Sequence, residues 1–310
     1  MPFQTAHDYQ ESNAAFFNCL MTSGQEKRAE DSLNNYTRTQ VRELSFMDIT
    51  VPPFKVEDSE CDMQVDTDNL CKVFEYEPNS PGAQAVPFGT TPPSFYLRGK
   101  RYKVTGSRLH TPRMTKDVTE LRSFRMDIRQ IVADGMIKEL LAEKDAIYLG
   151  AVNSILLGAD VVIPSSGIAQ WRTSSGGVSR NTWIESLKTM PQASGHLEAA
   201  TVLINSITRK EFQKWTRDEW GGDGAETQLR EGVTFDTLDN KKFVTTIKRG
   251  LVPDGTMFQF AGPEFVGKSL YFDDTTVYVK TDAWLMETFA YWYGGMTIAN
   301  VSGLARHDFN

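Results

Sequence analysis

Apolar and polar positions change period several times along the chain, and each change marks an element. From Arg125 to Leu157 the apolar residues Ile128, Ile131, Val132, Met136 and Leu140 recur at helical spacing. The pattern breaks at Glu143, Lys144 and Asp145 and resumes at Ile147, Ala151 and Ile155. A helix of about thirty residues is predicted, spanning about 45 Å at ~1.5 Å per residue and closed by Gly158 and Pro164. Ala146 to Ile163 approaches the length of a membrane span. Asn153, Ser154 and Asp160 lie inside it, and it continues an amphipathic run, so it reads as a core helix.

Upstream the pattern is that of strands. Leu70–Tyr76 and Phe95–Val104 are rich in aromatic and β-branched residues and can pair as a long hairpin. Between them stand Pro78, Pro81, Pro87, Pro92 and Pro93 with Gly82 and Gly89, which excludes a regular ladder and predicts a stiff, extended loop. Such a hairpin buries little of its own surface. Its aromatic residues (Tyr76, Phe88, Phe95, Tyr96 and Tyr102) predict that it reaches another chain, the alternative being a disordered surface insertion. Residues 1–50 are polar and helix-compatible: a charge-rich Gln25–Asp31, then Val41, Leu44, Phe46 and Met47, ended by Pro52 and Pro53. They read as an arm, and Phe54 to Asn69 as an acidic, poorly patterned connection.

Past a flexible Ser165–Ser179, Thr182 with Glu185 and Thr208 with Glu211 match capping boxes and predict two short helices. The apolar run Ala200–Asn205 between them predicts a buried strand. The remainder is mostly strand: Phe243–Lys248, Thr256–Phe260, Leu270–Phe272, Thr276–Lys280 and Met296–Val301, with turns at Pro253-Asp254-Gly255 and at Gly294-Gly295. Trp284–Trp292 fits strand or helix. No repeat of 20 to 50 residues is visible, which argues against solenoids and propellers. The order of elements predicts an α+β fold.

A chain of 310 residues accommodates one or two domains, and 40% hydrophobic with 24% charged residues is ordinary for a folded protein. The net charge of -7 argues against a surface dedicated to phosphate backbones. Cys19, Cys61 and Cys71 form no CxxC and are odd in number, so neither a disulfide framework nor a common zinc motif is indicated. The start MPFQTAHDYQ has no signal-peptide pattern, and production in the cytosol is expected.

One formal chemical motif is present. Gly262 to Ser269 satisfies GxxxxGK[ST], with Lys268 in the phosphate-reaching place. That motif must open a helix, whereas Leu270–Lys280 reads LYFDDTTVYVK, a strand. Asp273 and Asp274 lie too close in sequence to serve as the separate magnesium-binding carboxylate. His7, His110, His196 and His307 are scattered, without HExxH. In place of GxSxG the chain has Ser174-Ser175-Gly176-Gly177 and Gly221-Gly222-Asp223-Gly224, which read as loop hinges. The adjacent pairs Asp218 with Glu219 and Asp273 with Asp274 read as solvated turns. The basic cluster Arg98, Lys100, Arg101 and Lys103 fits an acidic neighbour subunit at least as well as DNA. No catalytic, cofactor-binding or metal residue is assigned.

Three segments carry a resemblance: Val86–Val104 (VPFGTTPPSFYLRGKRYKV), Thr111–Gln130 (TPRMTKDVTELRSFRMDIRQ), and Val277–Phe309 (VYVKTDAWLMETFAYWYGGMTIANVSGLARHDF). With the order of elements around them, the chain resembles the major capsid proteins of tailed bacteriophages over most of its length. The resemblance implies an N-terminal arm over 1–54, an extended loop over 55–112, a peripheral domain with a spine helix over 113–180, an axial domain over 181–269, and return strands of the peripheral domain over 270–310. It further implies a structural subunit without an active site or cofactor. That subunit self-assembles as hexamers and pentamers of an icosahedral shell, in the virion, around DNA held without sequence-specific binding and without a membrane. The first 45 residues are too short to resemble a fused scaffolding segment, so a separate scaffold protein is expected, with a portal protein and a decoration protein as further partners. Many modest interfaces that close only in a shell supply the stability, and an acidic total suits a container that must not grip its DNA. The alternatives are another phage structural role, in a tail or baseplate, and a P-loop nucleotide-binding protein.

Overall fold

The computed structural model describes residues 45–62, 68–76, 83, 85–96, 99–117, 128–162, 170–193, 195–215, 237–282 and 284–310, with the isolated positions 15, 18, 27, 31 and 120. Most of the predicted arm, His7, Cys19, Pro78, Pro81, Gly82, Arg98, most of 118–127, residues 165–169, Asp218, Glu219 and Gly221 to Gly224 lie outside the described residues.

Two sheets share one helix. A short helix α1 (Phe46–Thr50) leads into strand β1 (Pro53–Lys55), and β2 (Cys71–Tyr76) pairs antiparallel with β3 (Lys100–Thr105) as the predicted hairpin. Strands β4 (Ser107–His110) and β5 (Met114–Asp117) precede the long helix α2 (Ile128–Val162). Then come β6 (Trp171–Ser174), α3 (Arg180–Leu187), α4 (Thr189–Gln192), β7 (Thr201–Asn205) and α5 (Ser206–Glu211). The chain closes with β8 (Thr237–Leu238), β9 (Lys241–Thr246), β10 (Thr256–Phe260), α6 (Pro263–Val266), β11 (Gly267–Asp282), β12 (Leu285–Ile298) and β13 (Leu304–Phe309). The first sheet runs β1-β11-β12-β4, with β5 pairing farther along β12, and the second runs β6-β13-β10-β7-β9-β8.

Helix α2 has 35 residues, about 50 Å at the usual rise, enough to lie across both sheets. Its buried stripe is continuous: Ala133, Met136, Leu140, Lys144, Tyr148, Val152 and Leu156 follow one another at steps of three or four residues. The first part of the stripe packs on Val277, Val279, Met286, Ala290 and Trp292 of the first sheet. The second part packs on Leu203, Phe258 and Phe260 of the second sheet and on Phe46 and Met47 of α1. Strands β7 and β10 are buried along their whole length because the second sheet is covered on both faces. Val202, Ile204 and Met257 point the other way, to Trp183, Phe212 and Phe243. No described helix is long and apolar enough to cross a membrane.

Several expectations are corrected. The helix does not stop at Gly158 but runs to Val162, where the approach of Pro164 disfavours further helical backbone. The caps lie three residues earlier than predicted. Ser179 and Asn205, both extended, accept from the backbone N–H of Thr182 and Thr208, and the Thr182 hydroxyl oxygen in turn accepts from the Ser179 N–H, so Thr182 is the far half of its box. Leu270–Phe272 and Thr276–Lys280 are one strand, with register shifts between Tyr271 and Thr276.

Gly294-Gly295 is no turn. Both residues sit inside β12, where a Cβ would meet the backbone oxygens of Leu270 at 2.5 Å and Thr105 at 2.2 Å. Trp284 precedes β12, which holds Leu285 to Trp292, and Val301 belongs to a 3-10 turn (Val301–Gly303). The stretch 270–310 divides: β11 and β12 belong to the first sheet, while Leu304–Phe309 was not predicted as a strand and pairs with β10 and β6 in the second.

Candidate functional site

The chemical motifs fold into structure. In the GxxxxGKS segment, α6 is a single turn that precedes Gly267, and Lys268 already pairs with Thr297 in the ladder of β11 and β12. The helix stands before the lysine instead of after it, and a Cβ at Gly267 would lie 2.1 Å from the Thr297 carbonyl oxygen. No amide cradle for phosphate is formed there. Asp273 and Asp274 lie at the bulge of β11, where Asp274 accepts from the Thr275 N–H at 2.8 Å.

Ser174 and His307 are 2.9 Å apart through Oγ and Nε2, a pairing that sequence separation hides. It is not a hydrolytic dyad. The imidazole is 3% exposed, its Nδ1 has no partner among the described residues, and Phe309 lies against its ring at 4.7 Å. A nucleophile needs a base oriented by a third group and reachable by substrate. Burial holds His307 below its ordinary pKa, with the Asp308 charge opposing, and the ring serves as a packed, neutral link between β13 and β6.

The Cys61 and Cys71 thiols donate to the carbonyls of Glu57 and Asp62, and burial pushes Cys61 up. Among the described residues, no group of three His, Cys, Asp or Glu is placed to hold a metal ion.

What the fold does build is a projecting hairpin. Its base is anchored: Val104 is fully buried with Val56, Leu270 and Phe272, and Phe74 stacks on Tyr102 at 5.6 Å and meets Phe54 edge-on at 5.8 Å. Of the basic cluster, Arg101 and Lys103 are exposed, and Arg101 reaches Glu75 across the pair at 2.9 Å. Beyond Lys100 the ladder ends. Described residues between 85 and 96 form no strand, only a turn in which Thr90 N–H donates to the Pro87 carbonyl and Gly89 takes φ +83°. Phe88 is entirely exposed, Tyr96 is 88% exposed and Phe95 55%. Two large rings left almost wholly in water beside three prolines make a surface that gains only by being covered.

The second construction is a polar clamp at the middle of α2. Lys144 Nζ lies 2.7 Å from both carboxylate oxygens of Asp48 in α1, with Trp292 under the ammonium at 4.7 Å. One residue on, Asp145 accepts from Ser45 Oγ at 3.0 Å, the Met47 N–H at 3.4 Å and Lys248 Nζ at 2.6 Å. Thr50 Oγ1 donates to Tyr148 Oη at 3.1 Å. Burial pushes Asp145 up, and Lys248 and Ser45 hold it back; burial also pushes the Tyr148 phenol up. Residues 45–50, the described end of the predicted arm, are thereby fixed to the helix and to β9 through Lys248, which follows that strand. The sequence signal is legible in retrospect. Lys144 and Asp145 fall four residues after Leu140 and Leu141 and four before Tyr148 and Leu149, on the apolar stripe itself.

No protein-family model and no curated protein matches the sequence. Solved structures match in fold. A chain of Mycobacterium phage Bobi aligns with TM-score 0.60 at 10% identity over 86% of this chain and 90% of its own. The capsid of the cyanophage P-SCSP1u gives TM-score 0.59 at 9% identity over 86% and 88%. The mature capsid of bacteriophage PhiM1 gives 0.57 at 8% over 86% and 87%. At such identities the likeness is one of backbone path over most of the chain, and the chain has the fold of the tailed-bacteriophage major capsid proteins.

Proposed function

We propose that the chain is the structural subunit of an icosahedral bacteriophage capsid, assembling with further copies of itself, as hexamers and pentamers, around packaged double-stranded DNA. The observation that carries this reading is the projecting hairpin, whose exposed Phe88, Phe95 and Tyr96 have no cover among the described residues while its base is locked into the first sheet. A neighbour that covers these rings repeats around a shell, and each contact can be modest because closure makes all of them hold together. On this reading the first sheet with α2 is the peripheral domain, the second sheet the axial domain, and residues 1–54 the arm. The chain is then no enzyme. It is made in the host bacterial cytoplasm and resides in the virion, with a separate scaffold protein, a portal protein and a decoration protein as its other partners. The net charge of -7 supports a container that does not grip its contents.

Electron microscopy of the chain, expressed alone and together with the other structural proteins of its source, tests the reading. Hollow icosahedral shells are expected. Open tubes would assign the chain to a tail, and saturable ATP binding lost in Lys268→Ala would make it a nucleotide-binding protein.

A further inference from the structure

The face of the first sheet that turns away from α2 carries a built surface. Along β12 the side chains alternate: Met286, Thr288, Ala290 and Trp292 are buried toward the helix, while Phe289, Tyr291 and Tyr293 stand half-buried on the other side. The guanidinium of Arg108 in β4 lies over Tyr291 at 5.7 Å and Tyr293 at 5.5 Å, and that of Arg113 over Phe289 at 5.7 Å. Tyr278 stacks on Phe289 at 5.5 Å. Arg108, His110, Arg113, Tyr278, Phe289 and Tyr291 line an open cleft of about 490 Å³.

A guanidinium held beside an aromatic face by cation–π attraction still has its N–H groups to offer, and it takes a carboxylate in two parallel hydrogen bonds. Arg108 has no carboxylate partner among the described residues, and Arg113 has only Glu287, at 3.8 Å. The cleft is therefore a cationic, aromatic receptor whose own chain leaves it largely unfilled.

The opposite edge of the same sheet carries the complement. β1 is the far edge strand, and directly after it Glu57, Asp58, Glu60 and Asp62 stand exposed around a 3-10 turn (Asp58–Glu60), with no basic residue among them. Glu57 and Glu60 have only Lys55 at 3.6 Å and Lys72 at 3.5 Å, pairs that contribute little at such exposure. The two patches lie at neighbouring levels of the sheet. Lys55 pairs with Tyr271, and Arg108 pairs with Tyr293, itself paired with Asp273. A copy displaced across the strands would bring one patch to the other. Because the two patches differ, the contact is heterologous, the type that closes into rings when the rotation permits.

We infer that the Arg108–Arg113 cleft receives the acidic turn 57–62 of a second copy of this chain. The inference rests on the shell reading for its purpose, but its test does not need shells. Sedimentation velocity and electron microscopy are run on the full-length wild type, on Arg108→Glu/Arg113→Glu, on Glu57→Lys/Asp58→Lys/Glu60→Lys, and on the chain carrying all five changes, with circular dichroism to confirm folding. Each single-sided reversal is expected to weaken self-association about tenfold or more, and the five-fold variant to restore it.

A folded arginine variant that associates like the wild type overturns the inference. So does a five-fold variant that stays dissociated, or an arginine variant that assembles normally but loses single-stranded DNA binding, which would give the cleft to nucleic acid. A wild type that self-associates without forming closed shells counts against the proposed function alone, and one that does not self-associate overturns the inference as well.

Discussion

Lys144 and Asp48 form a pair that is 3% and 4% exposed, with both carboxylate oxygens 2.7 Å from the ammonium. Two charges so deeply buried are held by each other more than they hold the protein. Removing one takes the opposite charge from the other at a cost of about 3–5 kcal/mol, whereas replacing both with apolar residues of similar volume is often neutral or better. Lys144→Met is expected to destabilise the subunit by that amount in urea denaturation, and Asp48→Leu combined with Lys144→Met to recover most of it. Additive losses in the double variant would show that the pair is not the coupling between α1 and α2.

His307 gives the fold a pH dependence whose sign follows from its burial. The folded pKa lies below the ordinary value, so the unfolded chain takes up a proton first as pH falls below about 6.5. Its contribution to stability is complete above that pH and is lost as pH falls through the folded value. Melting temperatures measured between pH 7.5 and 5 should therefore drop more steeply for the wild type than for His307→Gln, whose amide can still reach Ser174 Oγ. Parallel curves would assign the acid sensitivity to other groups.

The long helix, the hairpin and most tail strands were legible because each rests on a local period, as in Met136 with Leu140 or the alternation of Val277 and Val279. What stayed hidden was set by contacts distant in sequence. Gly294 and Gly295 read locally as a turn, yet they are glycines because the Leu270 and Thr105 backbones press on β12. Leu304–Phe309 carries Arg306, His307 and Asp308, a polar run that does not look like an inner strand. It is one because Arg306 covers Trp171 at 4.1 Å and bonds Asn153, Asp308 accepts from the Trp171 indole, and His307 meets Ser174. The cationic cleft needed β4 and β12 side by side, a pairing nearly two hundred residues apart that no motif announces.

Gly295→Ala tests the first of those contacts. The added methyl would stand 2.2 Å from the Thr105 carbonyl oxygen, at the end of β3 where the hairpin leaves the sheet. Overpacking of this kind typically costs about 1–3 kcal/mol, and the easiest relief is for the base of the hairpin to move off β12. Lower stability together with faster proteolytic cleavage between residues 70 and 106 is the expected result. An unchanged cleavage rate would mean that the strain is relieved elsewhere along the sheet.

Phe88 and Tyr96 separate folding from assembly. Neither ring touches the core, so Phe88→Ser with Tyr96→Ser should change the urea midpoint of the isolated subunit by no more than about 0.5 kcal/mol equivalent, as surface substitutions do. Among the described residues the same two rings are the most exposed large side chains of the hairpin, and burying them would contribute several kcal/mol at each contact. Because every subunit repeats the loss, even a modest weakening per contact multiplies around a closed shell. Folded but unassembled subunits are therefore expected when the variant is examined by microscopy and sedimentation. Normal shells from it would remove the hairpin tip from the interface and leave the proposed function without its principal support.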